Sequence, residues 1–132
     1  NKDKARSIKS VLLAAGIQQE GTTVILHQGE FPDSDSLKQL SFELKNEVER
    51  LLMVVAADIA GKPILSVMMS EDLVKKYELN AGQMVRDMAK YIKGGGGGQP
   101  FYATAGGKDV GGLSEALAEA KAIIKSKTGW DV

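Results

Sequence analysis

The residues of this chain best suited to bind a ligand lie in one glycine-rich segment, residues 94–108. Five consecutive glycines open it, and a second glycine pair followed by a lysine closes it. Bare backbone N–H groups can cradle an anion or let a polymer backbone approach closely. Because glycine costs backbone entropy and supplies no side chain for packing, the run predicts a loop and not a helix or a good strand. We therefore expect two glycine loops, with one short strand at residues 101–105 between them.

Basic side chains accompany this segment. Residues 86–108 carry four Lys/Arg against one Asp, whereas residues 20–50 carry seven Asp/Glu against three Lys/Arg. Such a cluster suits contacts to a sugar-phosphate backbone, which position a nucleic acid without reading its sequence. One of the aromatic residues Phe101 and Tyr102 could stack on a base or ribose. The candidate nucleic-acid-binding residues are Lys90, Lys93, Gly94, Gly95, Gly96, Gly97, Gly98, Gln99, Tyr102, Gly106, Gly107 and Lys108.

Plainer explanations of the same features remain open. A five-glycine run is typical of a flexible linker. Scattered cations are typical of a solvated surface, and aromatic residues are typical of packing in the core or at a sheet edge. The formal net charge of the 132 residues is zero, so the overall charge indicates no polyelectrolyte partner. Only 34 residues follow Gly98, which is too few for a separate domain. This context favours glycines that lie inside one fold.

Signals for catalysis or metal binding are weak. The single histidine, His27, ends an apolar strand, and the chain has no cysteine, so packing or surface exposure is the expected role of His27. A phosphate-binding Walker loop would need Gly-Lys-Ser/Thr where the chain has Lys108-Asp109, and the dinucleotide-binding glycine pattern fails at Gln99. We expect no catalytic residue, metal ligand or cofactor in this chain. The five methionines are predicted to lie in the core: Met53, Met68, Met69, Met84 and Met88.

Hydrophobic periodicity predicts a single α/β domain. Its apolar fraction of 43% is sufficient for a core, and no apolar run approaches the length of a membrane span, so a cytoplasmic protein is expected. Ser34 or Asp35 is predicted to cap the second helix, and Asn80 the fourth, which should end in a left-handed glycine. The predicted order αβαββααβα gives a mixed sheet of about four strands, or slightly more, packed with helices. The predicted helices span residues 2–15, 35–50, 71–77, 80–92 and 114–127, and the predicted strands span 21–27, 51–57, 63–69 and 101–105, of which the second and third should form a hairpin.

The glycine segment closely resembles the GGGGG-x-P-x-x-A-x-A-G-G signature of the C-terminal domain of alanyl-tRNA synthetases, a member of the DHH-associated family. Ten defined positions within fourteen residues carry the resemblance: Gly94 to Gly98, Pro100, Ala103, Ala105, Gly106 and Gly107. The element order from about residue 21 to residue 127 is similar as well. The resemblance implies that residues 1–20 are the end of an upstream helical linker. It also implies that residues 21–132 are a nucleic-acid-binding globular domain.

The resemblance also implies a function. Such a domain contacts the outer corner of alanine-specific tRNA through its glycine loop and helps to join aminoacylation and editing, which are performed by upstream domains of the same chain. The fragment would be inert, whereas the parent alanine–tRNA ligase would use ATP, Mg²⁺ and zinc, and some members dimerise. Two alternatives stay open: the substrate-binding domain of an oligonucleotide phosphodiesterase, and an oligomerisation module. The phosphodiesterase branch has a His where this chain has Gln99, which favours the synthetase branch. Many synthetases have a basic residue before the proline, so the neutral Gln99 departs from that pattern too.

Overall fold

A six-stranded sheet with the strand order β1-β2-β3-β4-β6-β5 forms the centre of the molecule. The computed structural model describes residues 2–132, with side chains from Ile8 onward. The strands are β1 (Ile17–Gln19), β2 (Thr22–Glu30), β3 (Leu51–Ile59), β4 (Lys62–Met69), β5 (Gly95–Gly98) and β6 (Tyr102–Gly106). The helices are α1 (Lys2–Ala14), α2 (Ser34–Glu47), α3 (Glu71–Tyr77), α4 (Ala81–Ala89) and α5 (Leu113–Thr128), with 3₁₀ turns at Lys90–Ile92 and Val110–Gly112. The predicted α/β class, with a mixed sheet in a single compact domain, is confirmed.

The sheet is mixed because one pair of strands is parallel. Strands β2 and β3 run parallel, and α2 makes the crossover between them. The other neighbours are antiparallel, including the predicted β3–β4 hairpin. The β1–β2 and β3–β4 turns place Glu20-Gly21 and Ala60-Gly61 at positive φ, which matches the right-handed twist of the flanking strands.

Two apolar layers cover the faces of the sheet. Along β3, Leu52 and Val54 face α4 and α5, whereas Met53 and Val55 face α1 and α2. This alternation follows from the two-residue period of a strand, and β3 is apolar throughout because both of its faces are covered. All five methionines are at most 1% exposed, so their predicted place in the core is confirmed. No helix within residues 2–132 is both long and apolar enough to cross a membrane.

The edge strands depart from the sequence prediction. The four predicted strands are present, but β1 and β5 were not predicted, and the prediction that the glycine run forms a loop is wrong at Gly95–Gly98. The adjacent β6 supplies the ladder that the glycine run could not form alone. Three residues of the predicted linker, Ile17–Gln19, pair with β2 in the sheet. Residue 1 of that linker lies outside the described residues.

The helix ends also differ in detail. Asp33, and neither Ser34 nor Asp35, caps α2 by accepting a bond from the Ser36 N–H at 2.6 Å. The predicted cap of α4 is confirmed, since the Asn80 side chain accepts from the Gln83 N–H at 3.0 Å. Helix α4 tightens into a 3₁₀ turn after Ala89, so the predicted continuous helix to residue 92 is wrong there. The left-handed residue that ends this turn is Lys93, with φ 54°, and not a glycine.

Candidate nucleic-acid interface

The glycine strand β5 lies at one edge of the sheet. It pairs antiparallel with β6, from Gly95 opposite Gly106 to Gly98 opposite Ala103, and the strand order ends there. A bond of 2.8 Å from the Gln99 N–H to the Tyr102 carbonyl closes the turn between the two strands. The strand is four residues long and has no side chains, so its surface consists of backbone.

Alternate glycines of this run are required by packing within the domain. A Cβ atom at Gly94 would overlap the Gly106 carbonyl, and one at Gly96 would overlap the Thr104 carbonyl. Gly98 has φ 155° and is equally close to the backbone of β6. These three glycines let the glycine run approach β6 and the residue after it more closely than any other residue would allow.

The intervening glycines have a different environment. A Cβ atom at Gly95 would meet nothing within 4 Å, and one at Gly97 would lie 3.5 Å from the Arg86 guanidinium. Neither residue adopts positive φ. Packing within the domain therefore does not require glycine at these two positions. Their effect is to leave the backbone of β5 accessible to another molecule.

The second glycine pair brings the two predicted loops together. A Cβ atom at Gly107 would overlap the Ile92 carbonyl, and that carbonyl accepts a bond from the Lys108 N–H at 2.8 Å. Gly106 and Gly107 thus lie directly beside Gly94. The fold places Lys108 next to the end of the 3₁₀ turn, although 15 residues separate it in sequence from Lys93.

A set of exposed cations, the basic stripe, runs beside this strand and consists of Arg86, Lys90, Lys93 and Lys108. The first three are separated by four and three residues, so they share one side of α4 and its 3₁₀ extension. Among the side chains that the structure describes, no carboxylate lies within 4.0 Å of these four cations. The basic stripe therefore has its full charge available for an anionic partner. The cations that do form ion pairs are Lys9, Lys45, Arg50 and Lys125.

Sequence reasoning missed Arg86 as a site residue. Arg86 is one of the four cations of the basic segment at residues 86–108, but it was not predicted to be a site residue because it lies eight residues before the glycine run. The structure brings its guanidinium beside Gly97 because α4 packs along β5. Arg86 precedes Lys90 by four residues and Lys93 by seven, and this helical spacing indicates that the three cations share one side of a helix.

Other predicted site residues lie on the opposite face of the sheet. A cavity of about 360 Å³ opens between the start of α2 and the glycine strands. Tyr102 lines it, half-buried, with its ring centroid 5.1 Å from that of Phe42, and burial raises the pKa of its phenol. Gln99 is exposed at the β5–β6 turn and belongs to neither the basic stripe nor the cavity. The residues lining the cavity are Ser34, Asp35, Leu37, Lys38, Ile64, Gly95, Tyr102, Thr104, Ala105 and Gly106.

The fold and this glycine segment define the class of protein. Residues 21–126 match the DHHA1 domain, and the chain belongs to that family. It is 45% identical over 124 residues to the alanine–tRNA ligase of Christiangramia forsetii, covering 94% of this chain and 14% of the relative. It is 43% identical over 121 residues to that of Cytophaga hutchinsonii, covering 92% and 13%. The chain thus spans about one seventh of the length of the relatives that it matches.

Solved structures agree with this assignment. The C-Ala domain of Aquifex aeolicus alanyl-tRNA synthetase superposes with a TM-score of 0.68 at 25% identity, over 82% of this chain and 96% of that one. A DHH-domain protein described as a member of the S1p family of ribosomal proteins shares the fold, with a TM-score of 0.53 at 15% identity over 90% of this chain and 30% of its own. The resemblance to the C-terminal domain of alanyl-tRNA synthetase is confirmed.

Proposed function

We propose that this domain binds tRNA as the C-terminal part of an alanine–tRNA ligase, with the basic stripe and β5 contacting the outer corner of the tRNA. The observation that carries the proposal is the position of four cations, with no carboxylate partner among the described side chains, beside a strand whose outward positions need no glycine for internal packing. Cations of this kind neutralise phosphates, and a bare backbone lets a ribose-phosphate chain approach.

The other parts of the function belong to the enzyme outside this chain. We place aminoacylation and editing in upstream domains of the same cytoplasmic protein, together with its ATP, Mg²⁺ and zinc. Selection of alanine-specific tRNA also falls to those domains, because phosphate contacts carry no sequence information directly. The role of this domain is to hold one tRNA while the upstream sites act on it.

The proposal is tested by titrating salt against tRNA affinity for the wild-type chain and for a variant with Arg86→Ala and Lys93→Ala. Each phosphate contact contributes about 0.7–0.9 to the slope of log affinity against log salt. We expect the double variant to bind more weakly and its slope to be shallower by about 1.4–1.8. The matched control is Lys125→Ala, because Lys125 pairs with Asp131 at 3.5 Å in the chain itself. Equal slopes for the wild type and the double variant would exclude the basic stripe as the tRNA contact.

Oligomerisation is a second candidate, favoured by the open edge of β5. An edge strand presents unpaired backbone groups that can pair with a strand of another chain, and a second subunit could add one there. Sedimentation at several protein concentrations separates the two functions, since a chain that stays monomeric while binding tRNA excludes a self-association role.

The phosphodiesterase alternative predicts tighter binding of short single strands than of folded tRNA. The same salt titration, performed with both ligands, decides between the two.

A further inference from the structure

The cavity beside β5 differs chemically from the basic stripe. Its polar groups are the Ser34 and Thr104 hydroxyls, the Asp35 carboxylate and the Lys38 ammonium, and the Tyr102 ring lies among them. Within residues 8–132, neither Asp35 nor Lys38 forms an ion pair. Its volume of about 360 Å³ falls in the range of sites for small organic groups.

The start of α2 makes this cavity a poor place for a phosphate. Asp33 already occupies the helix end by accepting from the Ser36 N–H at 2.6 Å, and Asp35 adds a second carboxylate in the first turn. Carboxylates at this position repel an anion, and they accept hydrogen bonds from hydroxyl or amino groups. The cavity therefore suits an uncharged group that is rich in donors and has a flat apolar face.

An unsatisfied buried hydroxyl lies next to the same cavity. Ser66 is 1% exposed, and its Oγ has no hydrogen-bond partner. The hydroxyl lies near the Tyr102 phenol, although among the described residues it does not meet the geometry of a hydrogen bond with that group. Ser66 pairs directly with Thr104 across β4 and β6, so both side chains project to the cavity face of the sheet. Ser66 itself is not among the residues that line the cavity, so it is a polar neighbour of Tyr102 and not a contact for a bound molecule.

Gly95 connects the cavity with the phosphate-binding side of the strand. It lines the cavity, and a side chain there would meet no atom of the domain within 4 Å. Two residues further along, Gly97 lies beside the Arg86 guanidinium. A nucleotide could therefore cross the bare strand between the basic stripe and the cavity.

We propose that the cavity receives the base and ribose of an unpaired nucleotide of the RNA whose phosphates contact the basic stripe. The Tyr102 ring flanks the base, the Asp35 carboxylate accepts a hydrogen bond from the ribose 2′-hydroxyl, and the Ser34 hydroxyl donates one to the oxygen of that group. The 2′-hydroxyl is the group that distinguishes RNA from DNA at such a site. This inference rests on the proposed function and adds that the domain recognises an unstacked ribonucleotide.

The first experiment compares the affinities of the chain for a short single-stranded RNA and for an RNA duplex of equal length. Loss of one base–aromatic contact corresponds to about a tenfold loss of affinity. We expect Tyr102→Leu to weaken single-strand binding by about that factor and to change duplex binding less than about twofold. Arg86→Ala is the matched control, because loss of a phosphate contact should lower the affinities for the single strand and the duplex alike. Equal losses for the two ligands in Tyr102→Leu would overturn the inference.

A second variant covers the case in which Tyr102→Leu does not fold. Asp35 is exposed and does not cap its helix, so Asp35→Ala should leave the fold intact. We expect it to weaken the binding of single-stranded RNA by about threefold to tenfold, which corresponds to the loss of one hydrogen bond. The affinity for DNA of the same sequence should stay unchanged. Equal effects on the binding of RNA and DNA, or no effect on either, would overturn the inference without contradicting the proposed role of the basic stripe. A wild-type chain that binds no RNA at modest salt would instead overturn the proposed function and the inference with it.

Discussion

At the β1 edge of the sheet, side chains hold three elements together, whereas at the β5 edge backbone packs against backbone. The Glu20 carboxylate, in the β1–β2 turn, accepts from the Tyr77 hydroxyl at 3.1 Å and from the Trp130 Nε1–H at 3.4 Å. The two rings are 5.0 Å apart, edge to face, and Trp130 is 5% exposed. The charges of Arg50 and Asp72 also pair with each other near this edge, at 2.7 Å.

The β5 edge uses its groups in the opposite way. Its strand has no side chains, and the cations beside it, from Arg86 to Lys108, have no carboxylate partner among the described side chains. One edge thus uses its polar and aromatic groups for contacts within the domain, whereas the cations at the other edge make no ion pair among the described side chains. We expect substitutions at the β1 edge to change folding, and substitutions at exposed positions of the β5 edge to change binding.

The largest expected effect is at Trp130. Removing the buried ring leaves a cavity and removes one of the two hydrogen bonds to Glu20, so Trp130→Ala should lower the free energy of unfolding by about 3–5 kcal/mol. Urea denaturation followed by circular dichroism measures this loss. The variant should bind RNA normally at low denaturant, where it stays folded. A stable variant with weakened RNA binding would contradict the division between the two edges.

The next test separates the two kinds of glycine within β5. An alanine at position 96 would overlap the Thr104 carbonyl, so Gly96→Ala should cost about 1–3 kcal/mol of stability. Gly95→Ala meets no atom within 4 Å, and we expect its stability to change by no more than about 1 kcal/mol, with weaker RNA binding. Thermal unfolding and RNA affinity are measured on both variants. Equal loss of stability would show that packing requires both glycines.

A smaller effect is expected at the start of α4. The Asn80 side chain satisfies one N–H group at the helix end, and Asn80→Ala should lower stability by about 1 kcal/mol. Chemical denaturation detects this change, with Asn80→Asp as the control because it retains the cap. The basic stripe begins more than one helical turn later, at Arg86, so the salt dependence of RNA binding should stay the same. A changed slope would mean that the cap also positions the stripe.

The smallest effect concerns pH. Burial lowers the pKa of His27 from its usual 6.5, so the folded state binds a proton less readily than the unfolded state. This residue's contribution to stability is therefore complete above pH 6.5 and is lost as the pH falls toward the folded pKa. Denaturation of the wild type and of His27→Gln across this range measures the contribution. If the difference between them did not change with pH, desolvation of His27 would not be the cause.

Local patterns in the sequence were sufficient for most of the architecture. The four central strands, the five helices and the buried methionines follow from hydrophobic periodicity, which depends only on neighbouring residues. The glycine signature also identified the family and most residues of the candidate site. The strand β5 could not be predicted this way, because a tetraglycine strand gains its stability from β6 and has no propensity of its own.

The sequence by itself determined the α/β class, the core and the glycine-rich basic segment, since each depends on residue type and spacing along the chain. Only the tertiary structure decided which glycines are needed for packing, because that depends on the approach of β6 and of Ile92. It also separated Tyr102 from the basic stripe by placing them on opposite faces of the sheet. Arg86 joined the site for the same reason: α4 packs beside β5, and the local sequence of neither element specifies this contact.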